Sequence, residues 1–199
     1  MPIPVRRGLC KTSGMSDPRS RILPLLRQGE QLLWVGQPDP RVRLTGADAF
    51  LVPFSLLWGG FAVVWEVMAI TNVRQPLFIL WGIPFVLVGL YFIFGRFIVK
   101  RRRKLATVYG LTTSRAIVCT GERSVADSPI AGMPTKVDRS RDGRHVSVTF
   151  GYQGLLGFVG MYQNTGLDFF SLGMVQTVAF YDVGDADGLL RALDRARPE

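Results

Sequence analysis

Two long apolar runs decide what this chain can become. Residues 50–70 carry one charge, Glu66, and residues 77–99 carry one, Arg96, near their end. As helices they would be about 31 and 34 Å long, enough for a hydrocarbon layer of about 30 Å. Neither run alternates with period two, so buried strands fit them poorly. Both are apolar all round, unlike the one-sided helices of a soluble surface. A chain of 199 residues has too little other sequence to wrap two such helices in a water-soluble core. The expectation is a transmembrane hairpin, 50–70 and 77–99, closed by the turn-forming stretch Thr71, Asn72, Val73, Arg74, Gln75 and Pro76.

Charge placement orients the hairpin. The net charge is +9, and the run Lys100, Arg101, Arg102, Arg103, Lys104 supplies five of those charges. The connecting turn has one cation, Arg74, whereas Arg41 and Arg43 precede the first span. The positive-inside rule then puts both termini in the cytoplasm of a plasma (bacterial inner) membrane. Excess charge of this size would ordinarily raise nucleic-acid binding. Here it sits beside apolar runs, and residues 105–199 hold nine basic and ten acidic groups, so no nucleic-acid partner is expected. No apolar stretch long enough for a cleaved signal peptide precedes residue 50.

Several hairpin residues are candidates for function or packing. Ser55 and Gly59, with Ala62 on the same side, and Gly82 and Gly89 on the other run, would let the helices approach closely. Pro53 and Pro84 are candidate kink positions. Glu66 has two readings, an interfacial carboxylate reaching the headgroups or an intramembrane functional group. Arg96 is expected to snorkel to the cytoplasmic surface. The cluster 100–104 also has two readings, an orientation signal or recruitment of anionic lipid. Arg115 joins it as a candidate headgroup contact, with Glu122 as the alternative partner.

The rest divides around the hairpin. Residues 1–19 show no hydrophobic period and are expected to be a flexible N-terminus. Met15, Ser16, Asp17 and Pro18 look like a natural start, with 1–14 arising from an upstream start codon. Residues 20–49 form a cytoplasmic pre-membrane segment, whose Arg21-to-Leu33 stretch is expected on the membrane surface. From 105 onward the pattern turns to short β-type runs: 107–111 and 115–120 around the turn Thr112, Thr113, Ser114; then 124–130, 135–138, 145–150 and 176–181. Asp142 and Gly143 mark a second hairpin. Asp185 caps a final helix with Ala186, Leu189, Leu190 and Leu193 on one stripe. Residues 151–174, punctuated by Gly151, Gly154, Gly157 and Gly160, are apolar yet loop-like; packing over the sheet, a bilayer contact and a subunit contact all fit. The fold class expected is α+β: a two-helix membrane hairpin plus a small antiparallel sheet domain of pleckstrin-homology-like barrel form, plugged by a C-terminal helix.

Four pieces carry a resemblance. They are Gln28 to Pro38 (QGEQLLWVGQP), the hairpin itself, Tyr109 to Val118 (YGLTTSRAIV) and Ala179 to Val183 (AFYDV). Together the chain resembles bacterial membrane proteins that carry a pleckstrin-homology-like domain, over roughly residues 20–196. The resemblance implies a two-helix anchor and a cytoplasmic sheet domain, and brings no catalytic residues.

Two cysteines and one histidine leave little for metal or redox chemistry. Cys10 and Cys119 are expected as reduced thiols, Cys119 as a small core residue, and His145 as structural. No Ser/His/Asp set, paired carboxylates or nucleotide loop is present, so no enzyme activity, cofactor, metal or small-molecule substrate is expected. The function expected is a non-enzymatic scaffold binding a protein partner, another copy of itself or anionic lipid. The alternative is a small transporter or channel component working through Glu66 and Ser55.

Overall fold

The computed structural model describes residues 17–41, 48–121, 124–140, 143–151 and 178–197. The chain divides into two compact units. Among the described residues, one is the helical stretch 48–101 and the other combines 17–41 with everything from 102 onward.

The helical unit holds α2 (Asp48–Met68), a π turn (Ala69–Val73), α3 (Pro76–Leu90), a second π turn (Tyr91–Gly95) and the first part of α4 (Arg96–Ala106). Two continuous helices result, Asp48–Asn72 and Pro76–Ala106, and both are long and apolar enough to cross a membrane. The reversal is tighter than six residues. Arg74 takes the left-handed conformation, φ +49°, and its N–H closes on the Ala69 carbonyl at 2.9 Å. Pro76 then starts the next helix, where its missing N–H costs nothing. The second helix does not stop at Val99 but runs through the whole basic cluster. Lysine and arginine are good helix formers, so leaving the apolar run does not end the helix.

Of the small residues, Gly59 and Gly89 meet across the two helices. Ser55, Gly59 and Ala62 on α2 and Gly82 and Gly89 on α3 are buried. A Cβ added at Gly89 would stand 2.9 Å from the Gly59 Cα, so the two backbones are in contact there. Gly89→Leu is therefore expected to wedge the helices apart and lower the thermal midpoint of the detergent-solubilised protein. Gly60→Leu, at a position with nothing within 4 Å, should leave that midpoint in place.

The sheet unit begins with α1 (Pro18–Ile22), capped by Asp17 Oδ1 on the Arg19 N–H, and a 3-10 turn (Leu23–Leu25). Its strands are β1 (Leu32–Gly36), β2 (Thr107–Thr112), β3 (Arg115–Thr120), β4 (Ser124–Pro129), β5 (Thr135–Arg139), β6 (Val146–Phe150) and β7 (Val178–Val183), followed by α5 (Ala186–Ala196). They form two antiparallel sheets, β1-β2-β3-β4 and β5-β6-β7. A single bridge, Pro38 to Val183, joins the exit of β1 to β7. The described residues show two antiparallel sheets and a C-terminal helix, with no closed barrel among them.

The largest difference from the sequence reading is β1. It precedes the hairpin yet pairs with β2 after it, Val35 opposite Gly110 and Gly36 opposite Tyr109. The pre-membrane segment is thus part of the sheet domain. The Arg21-to-Leu33 stretch does not form a membrane-surface element either. Ile22 is fully buried on the outer face of the first sheet with Val108, Ile117, Cys119 and Val125. A Cβ at Gly110 would lie 2.7 Å from Ile22 Cγ2, so glycine there admits the side chain. Arg21 Nη2 donates to the Ala106 and Gly121 carbonyls at 3.0 and 2.8 Å.

The main core lies between the two sheets and α5. Trp34, Tyr109, Leu111, Val148, Phe150, Phe180, Leu189 and Leu193 are buried in it. Trp34 Nε1 donates to Asp185 Oδ2 at 2.9 Å, while Asp185 Oδ1 accepts the Gly188 N–H and caps α5. Tyr109 Oη accepts the Tyr181 N–H at 3.1 Å, and burial pushes its phenol well above the usual range. Cys119 is fully buried in β3, as a core residue should be. It is present in disulfide-bonded form, which corrects the reduced thiol expected there. Cys10, Arg43, Glu122, Asp142 and nearly all of 151–174 lie outside the described residues.

Candidate functional site

The charged residues sort into a node inside the sheet unit, a second set of pairs there, and a cluster inside the helical unit. The first is built on Arg115, which opens β3 after the turn Thr112, Thr113, Ser114. Its Nε donates to Glu30 Oε1 at 2.9 Å and its Nη2 to Glu30 Oε2 at 3.0 Å, a bidentate pair. Nη1 reaches Asp127 Oδ2 on β4 at 2.6 Å, and Nη2 also donates to the Leu25 carbonyl at 2.7 Å. Thr112 Oγ1 and Ser114 Oγ add hydrogen bonds to Glu30 Oε1 at 2.7 and 3.0 Å. The Arg27 N–H closes the other carboxylate oxygen at 2.8 Å. Arg115 is 8% exposed, so its charge faces these acids. It does not present a phosphate-binding surface, and neither Glu122 nor a headgroup is needed to pair it.

Burial alone would raise the Glu30 pKa. The donors from Arg115, Arg27, Thr112 and Ser114 outweigh burial and hold it at about 2, against an ordinary value of 4.5. The same partners reverse the lowering that burial would impose on Arg115 and raise its pKa. Because the Glu30 pKa is lower in the folded state, its contribution is complete above about 4.5 and is lost as pH falls toward 2. That loss is about 3 kcal/mol from this one group. Acid titration of the full-length protein should show tertiary structure falling away across that window, and Glu30→Gln should flatten the dependence.

A second set of pairs follows the exit of β1. Lys104 Nζ lies 2.6 Å from Asp182 Oδ2 and donates to the Arg41 carbonyl at 3.0 Å. Asp182 adopts φ +52° beside the register shift between β6 and β7. His145 Nε2 is 3.0 Å from Asp39 Oδ2. Asp39 sits below the ordinary carboxylate range: burial would raise it, but the Arg41 N–H and His145 oppose that and prevail. His145 thus has a partner that sequence spacing did not show.

Within the helical unit, Arg96 is 1% exposed and its Nη1 donates to Asp48 Oδ1 at 2.6 Å. It does not snorkel. Lys100, 3% exposed, lies 4.0 Å from Asp48 Oδ2. Arg96, Lys100 and Lys104 recur every four residues along α4 and are all buried, whereas Arg101, Arg102 and Arg103 are exposed. The run expected to act as one headgroup surface is therefore split: three cations face outward, and two are held by acids. Asp48, outside both apolar runs, is the residue the sequence reading missed. Its place two residues before the first span was the available signal.

Glu66 lies against α3. A Cβ at Gly82 would overlap its Oε2, which is buried with no hydrogen-bond partner. Glu66 and Gly82, named separately from sequence, are thus neighbours. In the sheet unit, a groove of about 400 Å³ runs between Asp17, Pro18 and Arg19 and the consecutive β1 residues Leu32, Leu33, Trp34 and Val35. Among the described residues no three His, Cys, Asp or Glu side chains gather as a metal site would need.

Comparison with protein families, with curated proteins and with solved structures finds no match for this chain.

Proposed function

We propose that the protein is a non-enzymatic membrane scaffold: a two-helix hairpin crosses the bilayer and carries a pleckstrin-homology-like sheet domain on the cytoplasmic side. The observation that carries this is the surface of α2 and α3. Leu57 is 75% exposed, Leu77 73%, Trp81 68% and Phe61 66%, among more than a dozen large apolar residues turned outward. An apolar surface that continuous is a lipid or protein contact, not a water contact. Four strands, three strands and a C-terminal helix around one core support the pleckstrin-homology-like reading. The charged groups of the sheet domain support scaffolding over catalysis, because Arg115, Glu30, Asp127, Lys104 and Asp182 hold one another. The disulfide form of Cys119 favours an oxidising compartment. Five cations against one across the second span outweigh it for sidedness.

In-cell crosslinking of the tagged full-length protein, read by mass spectrometry, tests the scaffold role. Crosslinks from the sheet domain to a second polypeptide, another copy or a distinct protein, are expected. A sheet domain that crosslinks only within its own chain contradicts the proposal. The transporter alternative rests on the unpartnered Glu66 Oε2. It requires Glu66→Gln to abolish a solute- or proton-flux phenotype while the protein remains in the membrane.

A further inference from the structure

We infer that the hairpin binds a second membrane-spanning helix, from a different protein, that carries a lysine or arginine opposite Glu66. This rests on the reading that the hairpin spans a bilayer as a scaffold, and it names the chemistry of one partner. Ser55, Gly59 and Ala62 on α2 and Ala69 in the π turn after it are buried. Glu66 falls on the same stripe, four residues after Ala62 and three before Ala69. The stripe thus turns a carboxyl group toward α3. Gly82 leaves the room for it, since a Cβ there would overlap Oε2. Oε2 is buried with no hydrogen-bond partner, and no cation among the described residues pairs with Glu66. The residue as a whole is only half-buried, so the carboxyl group is reached from outside the hairpin.

Depth and charge define the partner. Counting about 1.5 Å per residue from Pro76, Gly82 lies about 9 Å inside the hydrocarbon layer. Ionisable groups inside a bilayer pair with one another. Between residues 50 and 99 the chain's own cations are Arg74 and Arg96. Arg74 is in the turn, its Nε on the Thr71 carbonyl at 3.2 Å. Arg96 is about 21 Å deeper than Gly82, its Nη1 on Asp48. A second copy lying alongside brings the same two cations to the same two levels, neither of them that of Glu66. The matching cation therefore comes from another chain. The surface beside Glu66 suits a helix: Val63 and Val67 are exposed next to it on α2. Helices in lipid associate by such side-chain packing together with polar contacts.

The test reconstitutes the full-length protein, fused at its C-terminus to a fluorescent protein, into phospholipid vesicles. The probe is a dye-labelled leucine–alanine helix long enough to span, with one lysine about six residues from its end. A second probe has leucine in place of that lysine. Energy transfer should show the lysine helix binding roughly tenfold more tightly than the leucine helix. Glu66→Gln should bring the lysine helix down to the leucine level, and Glu66→Asp should keep most of the difference. Equal binding of the two helices to the wild type, or a preference that survives Glu66→Gln, overturns the inference. Energy transfer between two differently coloured copies that Glu66→Gln removes, without any preference for the lysine helix, assigns the position to a second copy and also overturns it. If Glu66→Gln does not fold, the wild-type comparison of the two helices decides alone. Protein stripped from the vesicles by alkaline carbonate would sink the spanning reading itself; protein that stays embedded and does not distinguish the helices sinks this inference only.

Discussion

Arg115→Leu is expected to cost the sheet domain about 3–5 kcal/mol, enough to unfold a marginal domain at physiological temperature. The guanidinium is the counter-ion to two carboxylates, and the Glu30 side chain is only 3% exposed. Removing it leaves Glu30 with only neutral donors, the Arg27 N–H, Thr112 and Ser114, and Asp127 with only the exposed Arg27 side chain at 3.3 Å. The bidentate geometry makes Arg115→Lys a poor rescue, because an ammonium cannot engage both Glu30 oxygens and Asp127 at once. Glu30→Gln in the Arg115→Leu background should recover part of the loss by removing one stranded charge. Chemical denaturation followed by near-ultraviolet circular dichroism reads all of these. A loss below about 1 kcal/mol for Arg115→Leu would mean that the node is solvated and behaves as a surface pair.

Leu57→Arg gives the second large effect, with a sign that depends on the solvent. Leu57 is 75% exposed near the middle of α2. In lipid, an arginine there raises the insertion free energy by about 3 kcal/mol, and the membrane-integrated fraction should fall sharply. In water, the same change at an exposed site would be worth no more than about 0.5 kcal/mol and would improve solubility. Alkaline extraction of membranes from cells carrying the variant separates the two. Arg102→Leu, outside the apolar stretch on an exposed position, serves as the control for general misfolding.

Much of this architecture is legible in local sequence because it depends on local chemistry. Val146, Val148 and Phe150 alternate with Ser147 and Thr149, and the strand forms with the first three buried. Asp185 caps α5, and Leu189 and Leu193 lie on its buried stripe. Gly59 and Gly89, chosen for their size, touch backbone to backbone. What escaped was set by distance along the chain. The run Leu32 to Gly36 is a short apolar stretch whose strand character depends on β2, some seventy residues later and beyond the hairpin. Glu30 and Arg115 lie in two of the four pieces that carry the resemblance, yet their pairing required the fold to join those pieces. Lys100 to Lys104 reads as one charge run only if the helix ends before it. Once α4 continues, the four-residue spacing of Arg96, Lys100 and Lys104 puts them on a buried face, and the neighbouring arginines point elsewhere.

Whether lipid surrounds the middle third of the chain can be read at the hairpin turn. Arg74→Cys and Arg102→Cys are compared with the wild type in intact spheroplasts, using a membrane-impermeant maleimide. With a spanning hairpin, position 74 is labelled before lysis and position 102 only after permeabilisation. Equal labelling of the two positions before lysis, or recovery of the full-length chain in the soluble fraction, would contradict it.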